Sequence, residues 1–288
     1  MAATSFRCPD GQITPFSKCL KHCNHRCMSL PALMAAADQR PWRGKPSVTQ
    51  LIKPTRQVYL EIVNDFAIDP MGGIAAMIGT NSHKAFEEHQ PNGWLAECRL
   101  EDDITSGQFD AYDAKNQILW DWKFFGAFRI SKALGFKARW QSRVVTRGKD
   151  KGKEKWEQVF EPGGVRDIME IAIQLNYYRY LMEKHHLKVK GINVNMFVRG
   201  GVDATAKKYG ITQPGYIVPI NFISLKWVRL YMKTKYDRLM YALENKKMPP
   251  VCSKRDRWDN SKSYPDRKCR DWCSVNEFCP YYKEKYGK

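Results

Sequence analysis

Asp110, in Gly107-Gln108-Phe109-Asp110, stands eleven residues before Asp121 in Asp121-Trp122-Lys123, and both segments read as short strands. Side chains two apart on a strand share a face, so Asp121 and Lys123 project together while Trp122 faces the other way. If the two strands pair, Asp110 stands beside Asp121. Two carboxylates and an ammonium at one end of a hairpin suit phosphodiester hydrolysis. Hard oxygen ligands hold magnesium or manganese, and the lysine orients the attacking water or balances developing charge. His83, in the helical segment before these strands, adds an imidazole able to ligate beside carboxylates. Gln174 and Tyr178, four apart on a later helix, share a face. Taken alone, a D-x-K triplet is also a common exposed charge pair.

The elements that must position these groups follow from hydrophobic periodicity. Val58, Tyr59, Ile62, Val63 and Phe66 recur at helical spacing over 55–66, after a turn capped by Ser47, and a second helix spans about 73–89. Strands at 94–100, 107–112 and 118–125 are close together and predict an antiparallel meander. The lysine- and arginine-rich stretch 137–157 contains Gly148-Lys149-Asp150-Lys151-Gly152 and reads as a protruding basic hairpin. A helix over 165–186 carries Ile168, Ile171, Ala172, Leu175, Tyr178 and Leu181 on one stripe; strands at 191–199 and 216–223 and a helix at 225–245 follow. The expected fold class is mixed α/β, one main domain over 46–248 between cysteine-rich segments at 1–45 and 249–288.

In this order, His83, Asp110, Asp121-Trp122-Lys123 and Gln174 to Tyr178 resemble the RecB-like branch of the PD-(D/E)XK nucleases: a helical histidine, then G-x-x-D, (D/E)-x-K and Q-x-x-x-Y. The resemblance covers about 47–245. It implies a restriction-endonuclease-like core, a mixed central sheet flanked by helices. It implies that His83, Asp110, Asp121 and the Trp122 carbonyl ligate Mg2+ or Mn2+, that Lys123 assists the water, and that Gln174 and Tyr178 contact DNA or brace the site. The activity it implies is DNA exonuclease, in recombination, repair or phage DNA processing. Rival readings are a structure-specific or restriction-like endonuclease and a non-catalytic, metal-stapled DNA-binding adaptor.

The nine cysteines fall into two terminal clusters and the isolated Cys98, which is expected to be a small buried residue. Cys252, Cys269, Cys273 and Cys279, spaced C-x16-C-x3-C-x5-C, suit an iron–sulfur cluster or tetrahedral zinc. Similarity to the RecB-like nucleases with a [4Fe–4S] cluster favours iron–sulfur. Their upstream Cys-Pro is Lys53-Pro54 here, leaving Cys252 as the replacement ligand. Cys8, Cys19, Cys23 and Cys27, with His22 and His25 nearby, form a second candidate site for zinc or iron–sulfur beyond the reach of the resemblance. Because aliphatic residues are few between Cys252 and Cys279, metal binding is expected to supply much of that segment's folding free energy.

A net charge of +18 points to a polyanionic partner. Lys149, Lys151 and Lys153 are the candidate phosphate contacts, and Trp140, Trp156, Tyr177 and Tyr178 the candidate stacking residues, on single-stranded DNA or DNA ends. A recombinase, annealing protein or helicase is the protein partner that such a setting implies. With no run of about 18 apolar residues and a polar, cysteine-rich start, a cytoplasmic protein of bacterial or phage origin, without membrane association, is expected.

Overall fold

A computed structural model describes residues 3–287. At its start, β1 (Ser5–Arg7) and β2 (Ile13–Pro15) form a hairpin and α1 (Phe16–His22) and α2 (Leu30–Ala37) follow. These elements bury Phe6, Cys19, Leu33 and Ala36 against one another. α3 (Val48–Ile52) begins at the expected cap: the Ser47 hydroxyl accepts from the Gln50 N–H, and the Gln50 side chain accepts from that of Ser47. α4 (Thr55–Val63) and β3 (Ala67–Ile68) come next, β1 lying antiparallel to β2 and parallel to β3.

α5 (Ile74–Glu88) leads into β4 (Trp94–Glu101), β5 (Ser106–Asp113) and β6 (Ile118–Phe125), the three strands expected here. Then come α6 (Ala127–Ala133), the hairpin strands β7 (Lys137–Val144) and β8 (Glu154–Glu161), α7 (Met169–Lys184), β9 (Gly191–Val198), α8 (Ala204–Lys208), β10 (Gly215–Pro219) and α9 (Leu225–Glu244). Three short helices close the chain: α10 (Lys254–Arg257), α11 (Arg267–Asp271) and α12 (Pro280–Tyr286). The main sheet runs β10-β9-β6-β5-β4, with β6 antiparallel to β5 and parallel to β9, so the fold is mixed α/β.

Two expected elements are shorter than their patterns. α7 starts at Met169 rather than near 165 because the preceding segment is tied to α6: the Asp167 N–H donates to the Lys132 carbonyl, and Arg129 grips the Asp167 carboxylate at 3.0 Å. Ile168 therefore caps α7 instead of joining its buried stripe. β10 ends at Pro219, and the next residues form a loop held by the buried Asn176, which donates to the Asn221 carbonyl and accepts from the Ile223 N–H. No described helix is long and apolar enough to cross a membrane.

The chain divides into two compact units. One holds the residues up to Ser82, Arg99–Gln108 and those from Ser224 onward; its helices α3 and α4 pack on α9, and Val48, Leu51, Val58, Val228, Met232 and Leu239 of these helices are buried. The other holds His83–Cys98 and Phe109–Ile223. In this second unit the two faces of the sheet differ. Leu119, Asp121, Ile192, Val194, Met196 and Val218 are buried on the face that α7 covers, whereas Trp122, Phe124 and Phe197 meet Phe86 of α5 on the reverse face.

Candidate active site

β5 and β6 pair from Asp113↔Ile118 to Ala111↔Trp120, and the next step is Asp110 opposite Asp121. At that step the Trp122 N–H donates to Asp110 Oδ2 at 2.8 Å, so a carboxylate rather than the facing backbone satisfies it. The strands thus separate where the acidic side chains begin. Asp121 is buried, one of its oxygens accepting no hydrogen bond, and Lys123 Nζ sits 2.7 Å from its carboxylate. Period-two alternation places both side chains on the α7 face, as expected, and turns Trp122 to the reverse face against Phe86 and His83.

His83 reaches the fork from α5. Its Nε2–H donates to the Trp122 carbonyl at 3.2 Å, and its Nδ1 lies 3.5 Å from Glu97 Oε1 and 3.7 Å from Asp110 Oδ1. Ligand atoms of His83, Glu97 and Asp110 all lie within 4.8 Å of one another, which no other set of three histidine, cysteine or acidic residues among those described achieves. Glu97 is the member that the sequence pattern missed. It sits in β4 at φ +49°, a left-handed conformation unusual for a side chain of this length, which breaks the strand's alternation and re-aims the carboxylate. Asp121 lies outside this closest set, engaged with Lys123.

The electrostatics are those of a crowded anionic site. Burial, then the neighbouring Asp121, push Asp110 up to about 7, against the opposing pull of Lys123, His83 and the Trp122 N–H. His83 is raised chiefly by its bond to Glu97, with burial opposing. Burial acts to lower Lys123, but Asp121 and Asp110 outweigh it and raise it, so the ammonium stays charged. Burial raises Tyr178 as well. Its hydroxyl accepts from Gln174 Nε2 at 3.0 Å, and the Asp121, Lys123 and Asp110 charges all reach it. A buried carboxylate pair, a third carboxylate, an imidazole and a backbone carbonyl form a hard donor set that fits a divalent cation of the magnesium or manganese type.

The remaining expected residues divide. Trp140 and Trp156 are 64% and 62% exposed, open to stacking, whereas Tyr177 is fully buried on Tyr180 and cannot stack on a base. Lys149 and Lys151 make no ion pair among the described residues, but Lys153 is held by Asp150 at 2.7 Å. Cys98 is half-buried, its thiol donating to the Ala96 carbonyl.

In the other unit, the C-terminal cysteines come from different short elements: Cys252 precedes α10, Cys269 lies on α11, and Cys279 caps α12. Burial and neighbouring thiols push Cys269 up to about 12, and burial pushes Cys273 up to about 11; Cys252 and Cys279 act on both. Arg56 Nη1 lies 3.6 Å from Cys279 Sγ, so the start of α4, just past Lys53-Pro54, borders this thiol group. Between the cysteines stands Asp266, fully buried, accepting from Arg257 Nε at 2.8 Å, Tyr281 OH at 2.6 Å, Lys285 Nζ at 2.8 Å and Tyr286 OH at 2.9 Å. This polar hub, invisible to a count of aliphatic residues, adds its own contacts to the organisation of the segment. At the N-terminus, Cys23 and Cys27 pack against the cluster containing Cys19, whose thiol is raised by burial and by Cys23, Cys8 and Cys27; His22 and His25 are exposed.

No protein-family model matches this chain, and no curated protein matches it. Among solved structures it is similar to a phage-related exonuclease from Haemophilus somnus, at 11% identity and a TM-score of 0.35, over 79% of this chain and 93% of that one.

Proposed function

We propose that this chain is a divalent-metal-dependent deoxyribonuclease with a RecB-type PD-(D/E)XK core. The observation that carries this reading is the convergence of His83, Glu97 and Asp110 at the β5–β6 fork beside the Lys123–Asp121 pair. His83, Glu97, Asp110, Asp121 and the Trp122 carbonyl would hold the ion, which when bound polarises the scissile phosphate and its attacking water. Lys123, fixed by Asp121, places its ammonium where it orients that water and balances charge gathering on the phosphate oxygens. Gln174 and Tyr178, bonded to each other on α7, would contact DNA or brace the site beside Lys123.

Within this reading the enzyme is an exonuclease that acts on DNA ends or single strands in bacterial or phage recombination, repair or DNA processing, alongside a recombinase, annealing protein or helicase. The C-terminal cysteines hold a [4Fe–4S] cluster and the N-terminal four a second metal centre. The resemblance to RecB-like nucleases that carry such a cluster, rather than the spacing of the thiols, favours iron–sulfur over zinc.

The test is incubation of pure protein with end-labelled linear and circular DNA, single- and double-stranded, with Mn2+, Mg2+ or EDTA. Metal-dependent loss of linear substrate with circles intact is expected. Cleaved circles would make it an endonuclease, and no cleavage of any substrate by metal-loaded protein would overturn the nuclease reading.

A further inference from the structure

The β7–β8 hairpin leaves the chain between β6, which carries Asp121 and Lys123, and α7, which carries Gln174 and Tyr178. Its base is anchored in the same unit. Phe160 packs edge-on against Phe128 and Tyr209, and Gly135 lies so close to Gly164 that an added Cβ would stand 2.7 Å from the Gly164 carbonyl oxygen. Beyond that anchor the two strands stand alone as a two-stranded sheet.

Register sorts its side chains. Trp140↔Gln158, Ser142↔Trp156 and Val144↔Glu154 put both tryptophans and Val144 on one face, since directly paired residues point the same way. Trp140, Trp156 and Val144 are 64%, 62% and 61% exposed. On the reverse face Arg139 pairs with Glu161 at 3.3 Å and Arg143 with Glu157 at 3.0 Å. The turn is different: Arg147, Lys149 and Lys151 are exposed and make no ion pair among the described residues. One bare aromatic face therefore leads to a tip of uncompensated positive charge.

We propose that this hairpin is a binding platform for single-stranded DNA, with bases stacked on Trp140 and Trp156 and the backbone phosphates drawn to Arg147, Lys149 and Lys151. Aromatic faces bind any base, but only where the base is unpaired and free to unstack from its neighbours. Duplex DNA hides those faces and offers phosphates alone, so the tryptophans discriminate for single strands while the tip serves both forms. The proposal rests on the nuclease reading for its substrate and narrows that substrate to a single strand.

The experiment measures affinity in EDTA, where cleavage plays no part, for labelled oligothymidylate and for a duplex of equal length. Trp140→Ala/Trp156→Ala should bind the single strand at least tenfold more weakly and the duplex within twofold of wild type. Trp140→Phe/Trp156→Phe, which keeps two stacking rings, should recover most of the loss. Arg147→Ala/Lys149→Ala/Lys151→Ala should lower the slope of log affinity against log salt by about two, at roughly 0.7 per phosphate contact on single strands. Unchanged single-strand binding by the alanine pair, equal loss on duplex, or a change only in self-association would overturn the platform. Absence of Mn2+-dependent cleavage with these binding effects intact would instead remove the nuclease reading and leave the platform standing.

Discussion

Asp110 and Asp266 are both buried aspartates, each in a region that gathers ligating groups, and they are tuned in opposite directions. Asp110 shares its surroundings with Asp121 and Glu97 near the strand fork and is pushed up to about 7, burial being the main cause. For Asp266 burial pulls upward too, but bonds from Lys285, Tyr281, Arg257 and Tyr286 outweigh it and hold the carboxyl well below its usual range. The first carboxylate is under-compensated for its burial; the second is neutralised by two cations and two phenols. A buried carboxylate short of compensating charge and one that already has its partners differ in this way, and under the proposed function the first is the one that receives a cation. The scaffolds differ likewise: strands eight residues long carry Asp110 and Asp121, whereas the C-terminal cysteines lie on or beside helices of four to seven residues.

The largest effect expected on the strand-fork side is loss of activity without loss of fold. Lys123→Ala should lower metal-dependent DNA cleavage by roughly a hundredfold or more, the scale on which removal of a preorganised charge acts. Circular dichroism and DNA affinity in EDTA should stay near wild type, while the melting temperature should fall because the buried Asp121 is left without its cation. Wild-type turnover by this variant, in preparations free of contaminating nuclease, would place the chemistry elsewhere. Glu97→Ala should also lose cleavage, and restoration by raised Mn2+ concentration would mark Glu97 as a metal ligand.

The C-terminal segment should behave in the reverse order, with structure lost first. Cys269→Ser should abolish bound iron and acid-labile sulfide and expose the chain after 248 to limited proteolysis, because metal binding by such small modules is itself folding free energy, about 10 kcal/mol or more for zinc. Anaerobically purified wild type should be brown. A colourless, iron-free protein whose serine variant resists protease as wild type does would remove the cluster from the account.

Asp266→Asn sharpens this, since it removes the hub and leaves all four thiols in place. Breaking a buried charge pair from one side costs about 3–5 kcal/mol, here leaving Arg257 without its carboxylate at 2.8 Å. The melting temperature of the cluster-loaded protein should fall. In wild type the group's lowered pKa gives stability above the ordinary carboxylate pKa that is lost as pH falls through the acid range. An unchanged melting temperature would mean that the cysteines alone organise the segment.

What could be read from the residues beforehand follows the same division. Asp110, Asp121 and Lys123 were legible because strand parity is a local rule, and the hairpin because glycines and charges mark its turn. Glu97 was not, since its role depends on a left-handed residue inside β4 that no alternation pattern reveals. The Asp266 hub was hidden for another reason: its four donors come from α10, α12 and their flanks and converge only in three dimensions. β1, β2 and β3 have two or three residues each, too few to carry a period.

The smallest expected effect is the most diagnostic, because its sign is unusual. Replacing a buried, hydrogen-bonded aspartate normally destabilises, as for Asp266. Asp110→Asn should instead stabilise the metal-free protein near pH 8. The amide keeps an oxygen to accept the Trp122 N–H and removes a negative charge that burial and Asp121 disfavour. The sign runs opposite to that of Asp266. A carboxyl raised from 3.8 to about 7 leaves the fold most stable below its ordinary value, and stability falls as pH rises through that window. The gain should therefore be about 1 kcal/mol or more at pH 8, one pKa unit being 1.36 kcal/mol, and should vanish near pH 4. Thermal melts in EDTA at the two pH values measure it, and added Mn2+ should stabilise wild type but not the variant. Destabilisation of Asp110→Asn at both pH values would show that Asp110, like Asp266, is a structural carboxylate.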